Sequence, residues 1–280
     1  MCHRTHRAAD PGTVRAPIDL DHIGLGVHAA QPELELAVTR FGATVIYGGY
    51  TPGCHYVVTR MGDADRGIDV EFLEPERADE EPFLERFLAQ RGPGAHHVTF
   101  IVADLASVLD RFAEAGLAPV VRRDFEHWRE AFFTPAQVGG IVVQLGELAK
   151  NGPGTDEAFA RAREDEPLGA ATTERRGWEP GTAGWWEWPG PRGEETAVLT
   201  RIVLASDDLD RGLAVFAGLL GGELLERSAD AAELSWPRGG RLRLERRDDR
   251  RPGFLRLDIL GAPAGVDRLA GAAVSATSDR

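Results

Sequence analysis

A strand-then-helix unit that recurs with a histidine at the same place constrains this chain more than any other feature. Residues 92–104 run Gly-Pro-Gly-Ala-His96-His97-Val-Thr-Phe-Ile-Val-Ala-Asp. They read as a glycine-rich turn, a strand, and an aspartate, Asp104, placed to cap a helix. Residues 20–27, Leu-Asp-His22-Ile-Gly-Leu-Gly-Val, show the same order, again with a helical pattern after them. Laid on each other, His22 falls on His97, Ile23 on Val98, Leu25 on Phe100 and Val27 on Val102. Strand alternation sends Ile23, Leu25 and Val27 to one face and His22, Gly24 and Gly26 to the other. By the same alternation His96 faces away from His97 and is expected to be structural or to support that neighbour.

The rest of each unit follows in order. A helix is expected over 32–41, with Pro32 in its first turn, Leu34, Leu36, Val38 and Phe41 as apolar positions, and Gly42 at its end. Strands are expected at 43–47, 56–61 and 68–73, separated by turns rich in Gly, Pro and Asp. That gives βαβββ. Residues 81–91 form a short amphipathic connector with Phe83, Leu84, Phe87 and Leu88 on one side. A strand at 97–103, a helix at 104–115 and strands at 119–122, 129–134 and 141–145 repeat the order. Composition changes near 150, and 150–195 reads as a Gly/Pro-rich linker. Its tryptophans Trp178, Trp185, Trp186 and Trp188 are expected to pack on a domain surface rather than on a ligand.

From 196 the unit returns: a strand at 198–205, a helix capped by Asp207 or Asp208, and strands at 223–227, 232–236 and 241–245. Residues 253–260 repeat the opening strand, 266–273 read as its helix, and the last three strands of that unit are missing. The expected fold class is α+β: tandem βαβββ modules forming a cupped mixed sheet around a metal cleft, with a second, degenerate and truncated copy. The expected division is an arm at 1–17, a metal-binding domain at 18–149, the linker at 150–195 and the incomplete copy at 196–280. The truncation leaves open a homodimer in which a partner chain completes the sheet.

Composition enters mainly as exclusion. A formal net charge of −13 argues against nucleic acid or an anionic membrane as a partner. Two cysteines, Cys2 and Cys54, make no disulfide framework, which points to a reducing cytoplasm. No apolar run approaches the roughly 20 residues of a membrane span, and the basic first residues lack the apolar stretch of a secretory signal. His3 and His6 fall in that arm and are read as part of a floppy terminus.

The chemistry gathers at four matched positions. His22 and His97 lie on the first strand of each module, Glu71 and Gln144 on the last. Two modules related by a pseudo-twofold axis would point all four side chains into one cleft. Two imidazoles with a carboxylate suit a first-row divalent ion such as Ni, Co, Mn, Zn or Fe, with a neutral amide oxygen as a weaker fourth ligand. The competing reading is a set of hydrogen-bonded core residues. Polar residues interrupting apolar strands at matched positions favour the ion, since buried polar groups without partners are costly. The corresponding residues of the second half are Arg201, Arg243 and Arg256, which cannot bind a cation; they would form an anion site or, with Glu and Asp plentiful nearby, local salt bridges.

On these residues the sequence resembles the vicinal oxygen chelate superfamily, which includes glyoxalase I, extradiol dioxygenases, fosfomycin-resistance proteins and methylmalonyl-CoA epimerase. The wording over about 18–148 is most similar to the epimerase: Leu20-Asp-His-Ile-Gly, Val70-Glu-Phe-Leu-Glu-Pro, Phe87-Leu-Ala-Gln-Arg-Gly-Pro-Gly-Ala-His-His and Ala131-Phe-Phe-Thr-Pro. The resemblance implies a divalent ion on His22, Glu71, His97 and Gln144 and a small carbonyl, carboxylate or acyl-CoA substrate. It also implies an isomerase, epimerase or lyase that stabilises an enolate-like intermediate. The family's last ligand is normally glutamate, where Gln144 stands, and the stretch 48–56 lacks the carboxylate that epimerases use as a proton shuttle. Candidate replacements are His127, Glu130, Tyr50 and His55. Cys54 is read as an isolated thiol. The alternatives are an iron(II)-dependent dioxygenase and a protein that binds a small molecule without catalysis.

Overall fold

The computed structural model describes residues 18–62, 67–76, 81–126, 128–148, 186, 189–190, 192–193, 197–249 and 251–278. Strand β1 (Asp19–Gly26) leads through helix α1 (Gln31–Phe41) to β2 (Thr44–Thr51), β3 (Cys54–Arg60) and β4 (Asp69–Pro75). After α2 (Phe83–Arg91) the second module runs β5 (Gly94–Ile101), α3 (Leu105–Glu114), β6 (Val121–Asp124), β7 (Trp128–Phe133), a turn of helix α4 (Pro135–Val138) and β8 (Val142–Leu148). These eight strands form one curled half-barrel in the order β2-β3-β4-β1-β5-β8-β7-β6. The first strands of the two modules lie antiparallel at its centre, each flanked by its own last strand running parallel to it.

One device closes both modules. Helix α1 has no side-chain cap of its own; the Ala30 N–H donates to Glu74 at the end of β4 (2.7 Å). At the start of α3 the Leu105 N–H donates to Glu147 at the end of β8 (2.7 Å), beside the Asp104 cap on Ser107. A carboxylate three residues after Glu71 and one three residues after Gln144 therefore satisfy the free amides of each helix start. The apolar alternates Ile23, Leu25, Val98 and Phe100 are fully buried on the helix side, leaving the polar face turned to the inside of the curl.

The second half forms a seven-stranded sheet, order β10-β11-β12-β9-β13-β15-β14. Its elements are β9 (Val198–Ser206), α5 (Leu209–Leu213) running into a π-helical segment (Ala214–Leu219), β10 (Glu223–Arg227), β11 (Ala231–Ser235), β12 (Arg241–Arg246), β13 (Gly253–Leu260), β14 (Arg268–Leu269) and β15 (Ala272–Thr277). Asp208, not Asp207, caps the helix by accepting the Arg211 N–H. The helix expected over 266–273 does not form. Gly261, Gly265, Ala270 and Gly271 all take left-handed backbone angles there, and Pro263 removes a donor. The chain instead turns back, and β15 pairs parallel to β13 as β8 pairs with β5. The fourth unit thus omits its helix, has only the two-residue β14 for its middle strands and keeps its last strand.

The sheets share one continuous core. Phe100 packs against Trp236 and Phe216, with ring centroids 5.1 and 6.2 Å apart. Backbone bonds join Ile68 to Leu199 (2.9 Å) and Ala197 to Phe41 (3.0 Å). Among the described residues of 150–195, Trp186 is buried in this core over Gly48, where a Cβ would meet its ring at 2.7 Å. Trp178, Trp185 and Trp188 lie outside the described residues, as does the arm at 1–17. No described helix is long and apolar enough to cross a membrane.

Candidate metal centre

His22, Glu71 and His97 converge on the inside of the curled sheet, each offering a ligand atom within 4.8 Å of the others. Strand register accounts for it. Gly24 on β1 pairs with Glu71 on one side and His97 on the other, so both side chains rise beside a residue that has none. A Cβ at position 24 would stand 2.3 Å from His97 Cε1, inside the imidazole. The glycine is the space the ring occupies.

Two bulges set the histidines. The register of β1 against β5 slips between Leu20 and His22 and again at Gly24/Leu25, leaving Asp21 and His96 unpaired. Each extra residue turns its side chain toward the histidine that follows it. His22 Nδ1 donates to Asp21 Oδ2 (2.8 Å), and His96 Nδ1 lies 3.0 Å from His97 Nδ1. The expectation that His96 faces away from His97 fails for this reason: alternation assumes an unbroken ladder. His96 is held between Phe83 and Phe87 of α2, with ring centroids 5.5 and 5.0 Å away. Burial is the main cause that drops its pKa to about 3, so it stays neutral, and its Nδ1 shares one hydrogen bond with His97 Nδ1. Both Nε2 atoms then point inward.

Their surroundings differ. His22 Nε2 lies 2.8 Å from the Thr99 hydroxyl and 3.6 Å from Glu71 Oε2. Burial, the largest single influence, disfavours its charge, but the Glu71 carboxylate and the Asp21 hydrogen bond outweigh it and raise its pKa to about 10. Glu71 is held well below the usual carboxylate range: burial opposes this, and the His22 charge, with both imidazoles close by, overcomes it. His97 Nε2 is 3.3 Å from Glu71 Oε2, yet is buried with no hydrogen-bond partner. Ligand atoms about 2.1 Å from an ion at tetrahedral angles stand roughly 3.4 Å apart, so the separations around Glu71 fit a shared ion. An orphaned imidazole nitrogen aimed at a carboxylate is what an ion would satisfy.

Gln144 completes the group. Its Oε1 accepts the Thr99 hydroxyl (2.6 Å) and its Nε2 donates to Glu130 (2.7 Å). A carboxylate can only accept from the amide, so Glu130 fixes the amide with its oxygen toward Thr99 and His22. Glu130 also accepts from Trp128 Nε1 (2.8 Å) and Arg123 (3.0 Å) and is buried. Of the acid–base candidates it alone is seen in the cleft, tied down on three sides. Tyr50 pairs with His55, which pairs with Glu74, one residue out of phase with Glu71 and Leu73. Alternation therefore puts both on the sheet face opposite the cluster. His127 lies outside the described residues. Cys54 is buried beneath α2 with Leu73, Leu84 and Leu88.

Sequence reasoning did not single out Asp21, Thr99, Tyr47, Trp128 or Phe132. Tyr47 pairs with Val58, the partner of Glu71, so it shares the cleft face; Phe132 pairs with Gln144 and stands 6.2 Å from the His97 ring. Thr99 was open to the two-residue alternation from His97, and Asp21 to the matched pairs Asp21-His22 and His96-His97. The others required the strand registers.

The second sheet repeats the frame without the ligands. Arg243 pairs with Val203 as Glu71 pairs with Gly24, and Arg256 pairs with Val203 as His97 does with Gly24. The bulges recur at 200 and 255, one residue before Arg201 and Arg256. These arginines bond to acids: Arg201 to Asp258 (2.7 Å) and Glu233 (2.8 Å), Arg243 to Glu233 (3.2 Å), Arg256 to Glu245 and Asp258 (both 2.9 Å). The salt-bridge reading holds, and the guanidinium charge is already compensated.

Residues 21–132 match the model of the Glyoxalase/Bleomycin resistance protein/Dioxygenase superfamily. A hypothetical protein from Staphylococcus aureus is similar over 93% of this chain and 99% of its own, with a TM-score of 0.60 at 10% identity. A methylmalonyl-CoA epimerase from Mycobacterium tuberculosis is similar over 49% of this chain and 92% of its own, with a TM-score of 0.43 at 22% identity. A hypothetical protein from Bacillus halodurans C-125 covers 49% of this chain and 99% of its own, with a TM-score of 0.42 at 20% identity. At such identities the likeness is one of fold. No curated protein matches the sequence.

Proposed function

We propose that the first sheet carries a divalent-metal centre on His22, Glu71 and His97, with the Gln144 oxygen beside it, and that the protein uses it on a small carbonyl, carboxylate or acyl-CoA substrate in an isomerase-, epimerase- or lyase-type reaction. The observation that carries this reading is the buried, unpartnered His97 Nε2 facing the Glu71 carboxylate at 3.3 Å. When bound, the ion supplies Lewis-acid polarisation of a substrate oxygen, favouring enolate-like charge on the adjacent carbon. The chain's own residues do the rest. Asp21 and His96 hold the imidazoles, and Gly24 leaves room for His97. Glu130 turns the Gln144 amide, and Trp128, Phe132 and Tyr47 line the cleft in which a substrate would shed water.

A second reading, binding without catalysis, is favoured by Glu130. A carboxylate held by Arg123, Trp128 and Gln144 is a poor general base, because accepting a proton would break those bonds. One set of measurements separates the readings. Elemental analysis of tag-free wild type is expected to find near-stoichiometric divalent metal, and His97→Ala is expected to lose it. Equally little metal in both would remove the foundation of the proposal. Solvent deuterium exchange into acyl-CoA and small carboxylic acids supports the isomerase reading; tight binding without exchange supports sequestration. Bound iron with oxygen uptake points to the dioxygenase.

A further inference from the structure

The second sheet has the frame of a metal site filled with salt bridges, and one of its turns reaches back to the first. Residues 236–240, between β11 and β12, close through Trp236 N–H to Gly240 O (3.1 Å) and Gly239 N–H to Trp236 O (2.9 Å). Gly239 takes a left-handed φ of 81°. The turn is docked on β1: a Cβ at Gly240 would meet Leu20 and Ile68 at 3.4 and 3.0 Å, and Trp236 packs at a tilt against Phe100. From this turn the Arg238 N–H donates to Asp19 (3.3 Å), and Arg238 Nη1 donates to Asp21 Oδ1 (3.2 Å). The other Asp21 oxygen, Oδ2, accepts from His22 Nδ1.

We propose that Arg238 is a positioning residue for the metal centre, holding the Asp21 carboxylate so that His22 presents Nε2 to the ion. The proposal rests on the metal-centre reading and deepens it. Asp21 is buried and sits on a bulge, where the ladder does not fix its side chain, so its second oxygen needs a donor. In β5 the corresponding residue, His96, is held by Phe83 and Phe87 of α2 instead. Each histidine thus has an Nδ1 partner clamped from outside the four central strands. For His22 the clamp belongs to the half of the chain whose matched positions hold arginines, which gives that half a part in the site.

Calorimetric titration of metal-free, full-length protein with Zn(II) and Co(II), together with the Co(II) visible spectrum, tests this. Arg238→Met is expected to weaken ion binding roughly tenfold, the lower end of the 10–100-fold typical when a ligand's outer partner is lost, and to alter the Co(II) bands. Arg238→Lys should restore most of the affinity. In an Asp21→Asn background Arg238→Met should cost little more, because the link is already broken. Asp19→Asn touches the same turn without reaching His22 and should leave affinity unchanged. If Arg238→Met does not stay folded, the order wild type, Arg238→Lys, Arg238→Gln carries the same test. Wild type that takes up no ion overturns the metal centre itself. Wild type that binds while Arg238→Met, or Arg238→Gln, binds equally well overturns the positioning role alone. An Arg238 effect that adds in full to Asp21→Asn, or that Asp19→Asn reproduces, assigns the residue to packing and also overturns it.

Discussion

Gln144 and Gly24 show how single residues are chosen by neighbours distant in sequence. A glutamate at 144 would face the Glu130 carboxylate, which now lies 2.7 Å from the amide nitrogen and is buried. Two like charges at that distance cannot both remain ionised. In the metal-free protein Gln144→Glu is expected to cost about 1–3 kcal/mol, read by urea unfolding, through the lost donor and the buried repulsion; an unchanged midpoint would contradict this account. Gly24→Ala has a Cβ 2.3 Å from the His97 ring and must displace it. We expect about 1–3 kcal/mol of destabilisation from overpacking, together with lost metal uptake. The titration of the cluster has a definite sign. His22 is raised from 6.5 to about 10, so its contribution to stability is fully present below about 6.5 and fades as pH rises toward 10. Glu71 is depressed from 4.5, so its contribution is present above that value and fades as pH falls. The melting temperature of metal-free protein should therefore fall between pH 6.5 and 9. His22→Asn should flatten that slope, and an equal slope in the variant would assign it elsewhere.

At the scale of elements, bulges and helix starts decide what the strands present. A regular β1 would send Asp21 and His22 to opposite faces, and a regular β5 would do the same to His96 and His97. The slips bring both pairs together, and the second sheet has the same slips at 200 and 255 with arginines in place of the ligands. Backbone geometry is thus a property of the frame, and the ligands are an addition to it. The helix caps test the same separation. Asp104 accepts the Ser107 N–H at 3.1 Å, and Asp104→Ala should cost about 1 kcal/mol of stability. Metal content should stay at the wild-type level, since α3 packs on the face away from the cluster. A parallel loss of metal would show that helix and site are not independent.

At the scale of the whole molecule, the two sheets and their helices share one apolar core. Trp236 lies against Phe100, and Ile68 bonds to the backbone of β9. Truncating Trp236 to alanine removes a buried ring and is expected to cost about 3–5 kcal/mol. Differential scanning calorimetry should show one transition for the wild type and a lowered one for the variant; two separate transitions would mean that the sheets unfold independently. The matched registers also place the ion pairs of the second sheet. Its guanidinium groups occupy the frame positions of His22, Glu71 and His97 and are neutralised by Glu233, Glu245 and Asp258.

Periodicity and matched spacing were enough to read the βαβββ order, the return of the unit after 196, and a cluster of His22, Glu71 and His97, because each depends on which strand face a residue occupies. Local chemistry failed where the ladder broke. Alternation sent His96 the wrong way, and an apolar pattern over 266–273 read as a helix although Ala270 and Gly271 hold left-handed turns. Only the tertiary structure decided that Tyr50 and His55 point away from the cluster while Tyr47 and Phe132 share its face, since that follows from interstrand register. It alone brought Glu130 against Gln144 and Arg238 against Asp21, 217 residues apart in sequence. A charge buried by folding takes whatever partner the packed chain delivers, and no local pattern names that partner in advance.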